Sequence, residues 1–234
     1  IGLHTGVTST LLVEPAEANT GYVFVRTDLE GAPEIPALVA NVHETRRGTT
    51  LQAGEAQIYT TEHVLAALYA SGVDNARLCI DGPEVPILEG SAQPFVEAIA
   101  GAGTVAQDAD RKFFKVRRNL SLQGEDGVEM MVVPLEEDEF KATVMVDYNT
   151  PILGTQHARM ESLAEFNEHI APCRTFVFLK EVAALAEQGL IKGGDIDNAI
   201  VLAERAYSHE EVSSIAKALG HEALAGTADK PGVL

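Results

Sequence analysis

The sequence predicts an α+β protein of two similar domains, each a mostly antiparallel sheet with helices packed on one face. Two observations support this class. Strand-like segments precede helical segments in each half, and the strand pattern begins again after the small and polar residues 101–110. We therefore expect an N-terminal domain over residues 1–107 and a C-terminal domain over residues 112–234.

The N-terminal half alternates short apolar or β-branched runs with turns and two helical segments. Thr60 or Thr61 is suited to cap the first helix, and Gly72 is suited to end it. Ser91 is suited to cap the second helix, whose first turn tolerates Pro94. The predicted elements are strands at residues 10–13, 22–26 and 74–80, an extended segment at 83–88, and helices at 60–71 and 91–102.

The C-terminal half repeats this order, with strands first and helices later. Ser208 and Glu211 have the spacing of a capping box at the start of a helix that ends at Gly220. The predicted elements are strands at residues 113–116, 129–133, 141–147 and 199–202, helices at 164–170, 175–188 and 208–220, and a turn at 193–195.

Charge and cysteine content exclude several classes of protein. A net charge of −18 on 234 residues argues against a nucleic-acid surface, because phosphate binding needs clustered Lys and Arg. No apolar run approaches the roughly 20 residues of a membrane span, so we expect no stable membrane insertion. Cys79 and Cys173 form no CxxC pair and fit a reducing compartment. We therefore expect a cytoplasmic protein, with Cys79 in its core.

The segment Thr61-Glu62-His63 places a carboxylate beside an imidazole at the start of an apolar helix. The positive end of a helix favours a neutral imidazole, whose lone pair can bind a metal ion. His63 is therefore a candidate zinc ligand, and Glu62 is a candidate proton acceptor. Two alternatives stay open: His63 is a partly buried residue bonded to backbone, and Glu62 only complements the helix dipole.

Two further segments have both a functional and a structural interpretation. Residues 2–6 form a glycine-bracketed loop that either places His4 near a ligand or makes a tight turn. Thr175 stands at the predicted start of a helix, where its hydroxyl either donates to an oxyanion or caps the helix. These patterns leave both alternatives open.

An ordered set of short motifs spans nearly the whole chain. It includes Thr61-Glu62-His63, Asp147-Tyr148-Asn149 and Arg174-Thr175-Phe176, together with residues 2–6, 18–21, 26–29, 72–75, 83–95 and 189–200. In these motifs and their order, the chain resembles the UDP-3-O-acyl-N-acetylglucosamine deacetylases, the zinc amidases of lipid A biosynthesis. The resemblance implies a two-domain fold with the active site between the domains, and one Zn²⁺. It also implies hydrolysis of the N-acetyl group of UDP-3-O-acyl-N-acetylglucosamine with release of acetate.

The resemblance also implies roles for matching positions. His63 resembles a zinc ligand, and Glu62 resembles the base that takes a proton from zinc-bound water. Thr175 resembles the donor that stabilises the tetrahedral oxyanion, and Tyr148 resembles an aromatic platform for uracil. Phe176 would help to shape the site. The predicted substrate-binding residues are Leu3, His4, Tyr148, Phe176, Leu179, Val182, Ile191 and Gly194. The residues that would line the passage for the acyl chain are Leu3, Leu179, Val182, Ile191 and Gly194.

The chain departs from the family pattern at both ends. No strand precedes Ile1, and no His-Lys-x-x-x-Asp segment for the remaining zinc ligands follows Leu202. The segment at about residues 203–230 resembles an insertion in a family variant that is fused to a 3-hydroxyacyl-ACP dehydratase. We therefore expect a fragment with weak zinc binding and no useful turnover on its own. The alternative is a non-catalytic module of the same fold that binds an acyl chain or a nucleotide sugar.

Overall fold

The structure is a computed structural model that describes residues 1–137, 139–187, 192–195, 197–218 and 228–233. Helices and strands are mixed, and the strands form several small sheets, as expected for the α+β class. Most described strand pairs are antiparallel, whereas β2–β7 and β12–β13 (bounds below) are parallel. The division into two domains stays a prediction. Across the described ranges, no helix combines the length and apolar character needed to cross a membrane.

The elements are numbered along the chain. The strands are β1 (Leu11–Pro15), β2 (Tyr22–Arg26), β3 (Glu34–Pro36), β4 (Val42–Glu44), β5 (Thr50–Ala53), β6 (Ala56–Ile58), β7 (Ala76–Ile80), β8 (Leu120–Gln123), β9 (Glu129–Val132), β10 (Ala142–Asp147), β11 (Thr155–Met160), β12 (Phe176–Phe178), β13 (Ile200–Ala203) and β14 (Gly232–Val233). The α-helices are α1 (Glu62–Ala70), α2 (Gln93–Ala102), α3 (Leu179–Glu187) and α4 (His209–Ala218).

A four-stranded sheet with the order β1-β7-β2-β3 organises the first half of the chain. Phe24 of β2 and Leu78 of β7 are fully buried in one apolar cluster with Leu68 of α1 and Phe95 of α2. α1 ends where Gly72, at a φ of 72°, lets the N–H groups of residues 72 and 73 bond back into the last turn. This confirms the predicted helix end and fixes where β7 begins.

A second, three-stranded sheet in the order β4-β5-β6 leads into α1. β5 and β6 pair antiparallel across a tight turn at Gly54, whose φ is 58°. β6 is followed by Tyr59, which forms an isolated parallel bridge with Glu84. This sheet therefore holds the residues just before α1 against the extended segment at 83–88.

The second half contains two hairpins and a third small sheet. β8 pairs with β9, β10 pairs with β11, and the order β12-β13-β14 makes a separate three-stranded sheet. Leu179 and Val182 of α3 are buried in a second apolar cluster with Val201 and Tyr207. At α4, Glu211 N donates to Ser208 Oγ and Ser208 N donates to Glu211 Oε2, which confirms the predicted capping box. The predicted end of this helix at Gly220 lies outside the described residues.

Three sequence predictions about strand positions and burial are wrong. Residues 113–116 are not a strand, and Phe114 is 92% exposed, because the chain pairs later, between β8 and β9. Phe176–Phe178 is a strand paired with β13, so the predicted helix at 175–188 begins only at Leu179. Cys79 is not in the core: residues 76, 78 and 80 of β7 face inward, and the Cys79 thiol donates to Glu14 Oε2 at 3.2 Å.

Candidate functional site

The turn before α1 fixes the direction in which Glu62 and His63 leave the helix. Thr60 has a φ of 57°, and its hydroxyl donates to Glu84 Oε1 at 2.7 Å. The Thr61 hydroxyl donates to Thr49 O at 3.1 Å. The prediction that Thr60 or Thr61 caps α1 through its side chain is therefore wrong, because both hydroxyls are committed to other segments.

Glu62 lies in the first turn of α1 with one carboxylate oxygen held and the other beside a glycine. Its Oε2 accepts a hydrogen bond from Thr49 N at 2.9 Å. A Cβ atom added at Gly48 would lie 3.3 Å from Glu62 Oε1, so the glycine leaves space at that oxygen. The carboxylate is thus oriented by backbone through Oε2, while Oε1 has no hydrogen-bond partner among the described residues.

His63 is half-buried on α1, and its ring makes no hydrogen bond within the described ranges. This removes the alternative in which the ring is bonded to described backbone. The described residues nevertheless bring together no group of three or more His, Cys, Asp or Glu side chains that could hold a metal ion. His63 alone fits zinc as one ligand, and the described residues do not fit a complete three-ligand zinc site.

The N-terminal loop joins segments that are distant in sequence. His4 Nε2 lies 3.2 Å from Arg47 O, and Arg47 Nη1 lies 3.0 Å from Glu181 Oε2 on α3. Gly193 N donates to Leu3 O at 3.1 Å, and a Cβ at Gly193 would lie 2.1 Å from Gly2 O. Leu3 and His4 therefore contact both the segment beside Glu62 and the turn that precedes Gly194.

Thr175 lies at the edge of β12 rather than at a helix start. Its N–H donates to Gly90 O at 2.8 Å, and its carbonyl accepts from Ile200 N at 2.9 Å. The Thr175 hydroxyl makes no hydrogen bond within the described part of the chain. It is half-buried, so it stays available to donate to a ligand.

The remaining predicted substrate-binding residues divide into two groups. Tyr148 and Phe176 meet edge to face with their ring centroids 5.4 Å apart, and Phe176 is 38% exposed. Leu179 and Val182 are buried in the second apolar cluster, so their role in an acyl passage stays a prediction. Ile191 lies outside the described residues.

The predicted residues gather around two backbone segments. Residues 47–49 link His4, Glu62 and α3, while Gly90 holds Thr175. No described hydrogen bond joins Thr175 to Glu62 or His63 directly. Sequence reasoning missed Arg47, Thr49 and Glu84. For Glu84 a signal existed, since a lone carboxylate in the otherwise apolar segment 83–88 needs a buried partner.

A cavity of about 1600 Å³ lies elsewhere, among α1, α2, β1 and residues 103–112. Leu11, Val64, Leu68 and Phe95 are in its lining, and none of the predicted site residues is. We therefore place the candidate site at the segments around residues 47–49 and 90, because the chemically competent side chains lie there.

Comparisons with known proteins found one matching family and several related enzymes. A family model described as UDP-3-O-acyl N-acetylglycosamine deacetylase matches residues 1–224. The bifunctional enzyme LpxC/FabZ of Chlorobaculum tepidum is 46% identical over 100% of this chain and 50% of that protein. The enzyme of the same name from Bacteroides thetaiotaomicron is 43% identical over 94% of this chain and 47% of its own length. The UDP-3-O-acyl-N-acetylglucosamine deacetylase of Geobacter sp. is 42% identical over 90% of this chain and 68% of its own length.

These matches give the class of protein: the chain is related to hydrolases that remove an acyl group from nitrogen. It belongs to the UDP-3-O-acyl N-acetylglycosamine deacetylase family, which confirms the assignment that the ordered motifs predict. The chain spans about half the length of the bifunctional relatives it matches.

Proposed function

We propose that this chain takes part in zinc-dependent hydrolysis of the N-acetyl group of UDP-3-O-acyl-N-acetylglucosamine, a step of lipid A biosynthesis. The observation that carries the proposal is the family match over residues 1–224, within which Glu62 and His63 stand together in the first turn of α1. The names of the relatives supply the substrate, and the geometry around Glu62 supplies a chemically suitable carboxylate.

The roles proposed for this chain's own residues are those that the family resemblance implies. Glu62 Oε1 takes a proton from the attacking water while Thr49 N holds Oε2 in place. As the carbonyl oxygen gains negative charge, the Thr175 hydroxyl donates a hydrogen bond to it. The water oxygen bonds to the carbonyl carbon, the carbon–nitrogen bond then breaks, the proton is returned to the leaving amine, and acetate is released.

His63 is proposed as one zinc ligand. A zinc ion held there would supply Lewis-acid polarisation of a carbonyl and would lower the pKa of bound water to about 7. Because the described residues do not complete its coordination, we assign no step of the reaction to the metal.

The substrate is proposed to lie across the aromatic pair and the N-terminal loop. Tyr148, packed against Phe176, offers a ring face or edge to uracil. Leu3, Leu179, Val182, Ile191 and Gly194 are proposed to line the acyl passage, where each buried CH₂ contributes about 0.8 kcal/mol. The diphosphate needs local cations on so acidic a protein, whose net charge is −18.

Two features of the whole protein are part of this proposal. The bifunctional names of the relatives support a fused dehydratase as an additional partner domain. A cytoplasmic location is proposed because the substrate is a nucleotide sugar and the acidic composition suits an aqueous compartment.

The direct test is acetate release from UDP-3-O-acyl-N-acetylglucosamine by protein expressed from the whole open reading frame, with added zinc. We expect Glu62→Gln to lower kcat by about 100-fold or more, since general-base catalysis contributes about 10²–10⁴-fold. Glu17→Gln, an exposed carboxylate-to-amide change in a surface turn, is the matched control and should leave kcat unchanged.

The same assay separates the alternatives. Tight binding of the nucleotide sugar without acetate release would favour the non-catalytic binding module. The 234 residues alone are expected to show no useful turnover, because their described part assembles no three-ligand zinc site. Robust acetate release by those residues would contradict this expectation.

A further inference from the structure

Glu84 is a fully buried carboxylate that lies apart from the proposed catalytic groups. It is 0% exposed, in the extended segment that follows β7. Its backbone is fixed on both sides, because Tyr59 N donates to Pro83 O at 2.9 Å and Val85 N donates to Tyr59 O at 3.1 Å. Burial of a carboxylate costs free energy unless its oxygens accept hydrogen bonds. The donors around Glu84 therefore identify the segments that it holds in place.

Four donors from two separate segments converge on this carboxylate. From the N-terminal loop, His4 N donates to Oε1 at 3.0 Å, Thr5 N donates to Oε2 at 2.8 Å, and the Thr5 hydroxyl donates to Oε2 at 2.7 Å. From the turn before α1, the Thr60 hydroxyl donates to Oε1 at 2.7 Å. Successive backbone N–H groups aimed at one anion form a nest, and in this case the anion belongs to the protein itself.

Each of the two segments needs this anchor. Thr60 holds a φ of 57°, an uncommon conformation for a non-glycine residue, only two positions before Glu62. The loop closes tightly over the carboxylate, since a Cβ at Gly2 would lie 2.3 Å from Glu84 Oε2. The same loop places the His4 ring 3.2 Å from Arg47 O, next to the residues that orient Glu62.

We propose that Glu84 is the positioning residue of the site: its carboxylate fixes the N-terminal loop and the turn before α1 relative to each other. Through the loop it places Leu3 and His4, and through Thr60 it sets the start of the helix that presents Glu62 and His63. This inference rests on the proposed function for its catalytic consequence, while the structural linkage is independent of it.

The test is Glu84→Gln in protein from the whole open reading frame. The amide keeps the volume of the side chain, but its NH₂ group must face either His4 N or Thr5 N, which cannot accept a hydrogen bond. We expect kcat to fall about 10- to 100-fold, because catalytic groups must be held within about 0.5 Å of productive geometry. KM should change far less than kcat, and Glu17→Gln should match the unaltered protein.

Amide hydrogen exchange tests the structural linkage, and the separate changes in kcat and KM supply the readout that a merely structural role would not produce. Exchange should accelerate by about 10-fold or more in residues 2–6 and 59–63, because a charge-assisted bond is lost in each segment, while α2 keeps its protection. Gly2→Ala, which forces the loop off the carboxylate from the other side, should produce the same local pattern.

Three results would overturn the inference: exchange that rises equally in α2, exchange that does not change in either segment, or local loosening with an unaltered kcat. If the unaltered protein releases no acetate at all, the proposed function fails instead. The exchange pattern then decides by itself whether Glu84 joins the two segments.

Discussion

Replacing Gly90 by alanine should displace Thr175, the group proposed to contact the oxyanion. Gly90 has a φ of 95°, and an added Cβ would lie 2.2 Å from Asn198 O. Real Cβ contacts essentially never fall below 3.0 Å, so one of the two backbones must move by at least 0.8 Å, which is 3.0 minus 2.2. Gly90 O accepts the hydrogen bond from Thr175 N, so the movement is transmitted to that residue.

The expected effect of Gly90→Ala has two parts. Strained backbone conformations cost about 1–3 kcal/mol each, so the free energy of unfolding should fall by about that amount. A misplacement of about 1 Å can lower the catalytic rate about 100-fold. Urea denaturation and the acetate-release assay measure the two effects separately.

Gly101→Ala is the matched control for this substitution. Gly101 lies in α2, and an added Cβ would meet nothing within 4 Å. Alanine there should raise the free energy of unfolding by about 0.4–1 kcal/mol, through a lower entropy of the unfolded chain, and leave kcat unchanged. If Gly90→Ala behaves like Gly101→Ala in both assays, the link from Gly90 to Thr175 is refuted.

Two predictions concern stability. Leu68→Ala should lower the free energy of unfolding by about 2–5 kcal/mol in chemical denaturation, because Leu68 is fully buried in the first apolar cluster. Leu12→Ala, at an exposed position, is the control. An equal loss of unfolding free energy in the two variants would contradict the assigned core. Arg205 and the cap at Ser208 lower the pKa of Glu211 from 4.5 to about 2. The stabilisation of α4 by the ionised Glu211 carboxylate is therefore complete above about pH 4.5 and is lost as the pH falls towards 2. A titration midpoint of the Glu211 carboxyl near 4.5 would refute this prediction.

Much of the local structure follows from sequence patterns with a direct physical cause. The strands at 22–26 and 141–147, the helix end at Gly72 and the capping box at Ser208 each depend on residues close in sequence. Local patterns encode these features because the interacting groups lie within a few positions of one another.

The errors occur where distant segments decide the outcome. Thr60 is bonded to Glu84 and Thr61 to Thr49, and these tertiary bonds replace the local caps that the threonines predict. Phe176–Phe178 forms a strand because β13 pairs with it in parallel, although the sequence that follows is helical. Local sequence patterns do not predict hydrogen bonds between segments that are distant in sequence.

The candidate site shows the same division. Glu62 and His63 are recognisable because they are adjacent at a helix start. Thr49 supports Glu62 from 13 positions away, and Glu84 supports the preceding turn through Thr60 from 24 positions away. Only the three-dimensional structure identifies these supports.

The proposed chemistry depends above all on His63 binding a catalytic divalent cation beside Glu62. The zinc content of purified protein from the whole open reading frame, compared with its His63→Ala variant at equal folded fraction, tests this dependence most directly. We predict one zinc per chain in the unaltered protein and a large loss of zinc in His63→Ala. Full zinc occupancy in the variant would contradict the proposed role of His63.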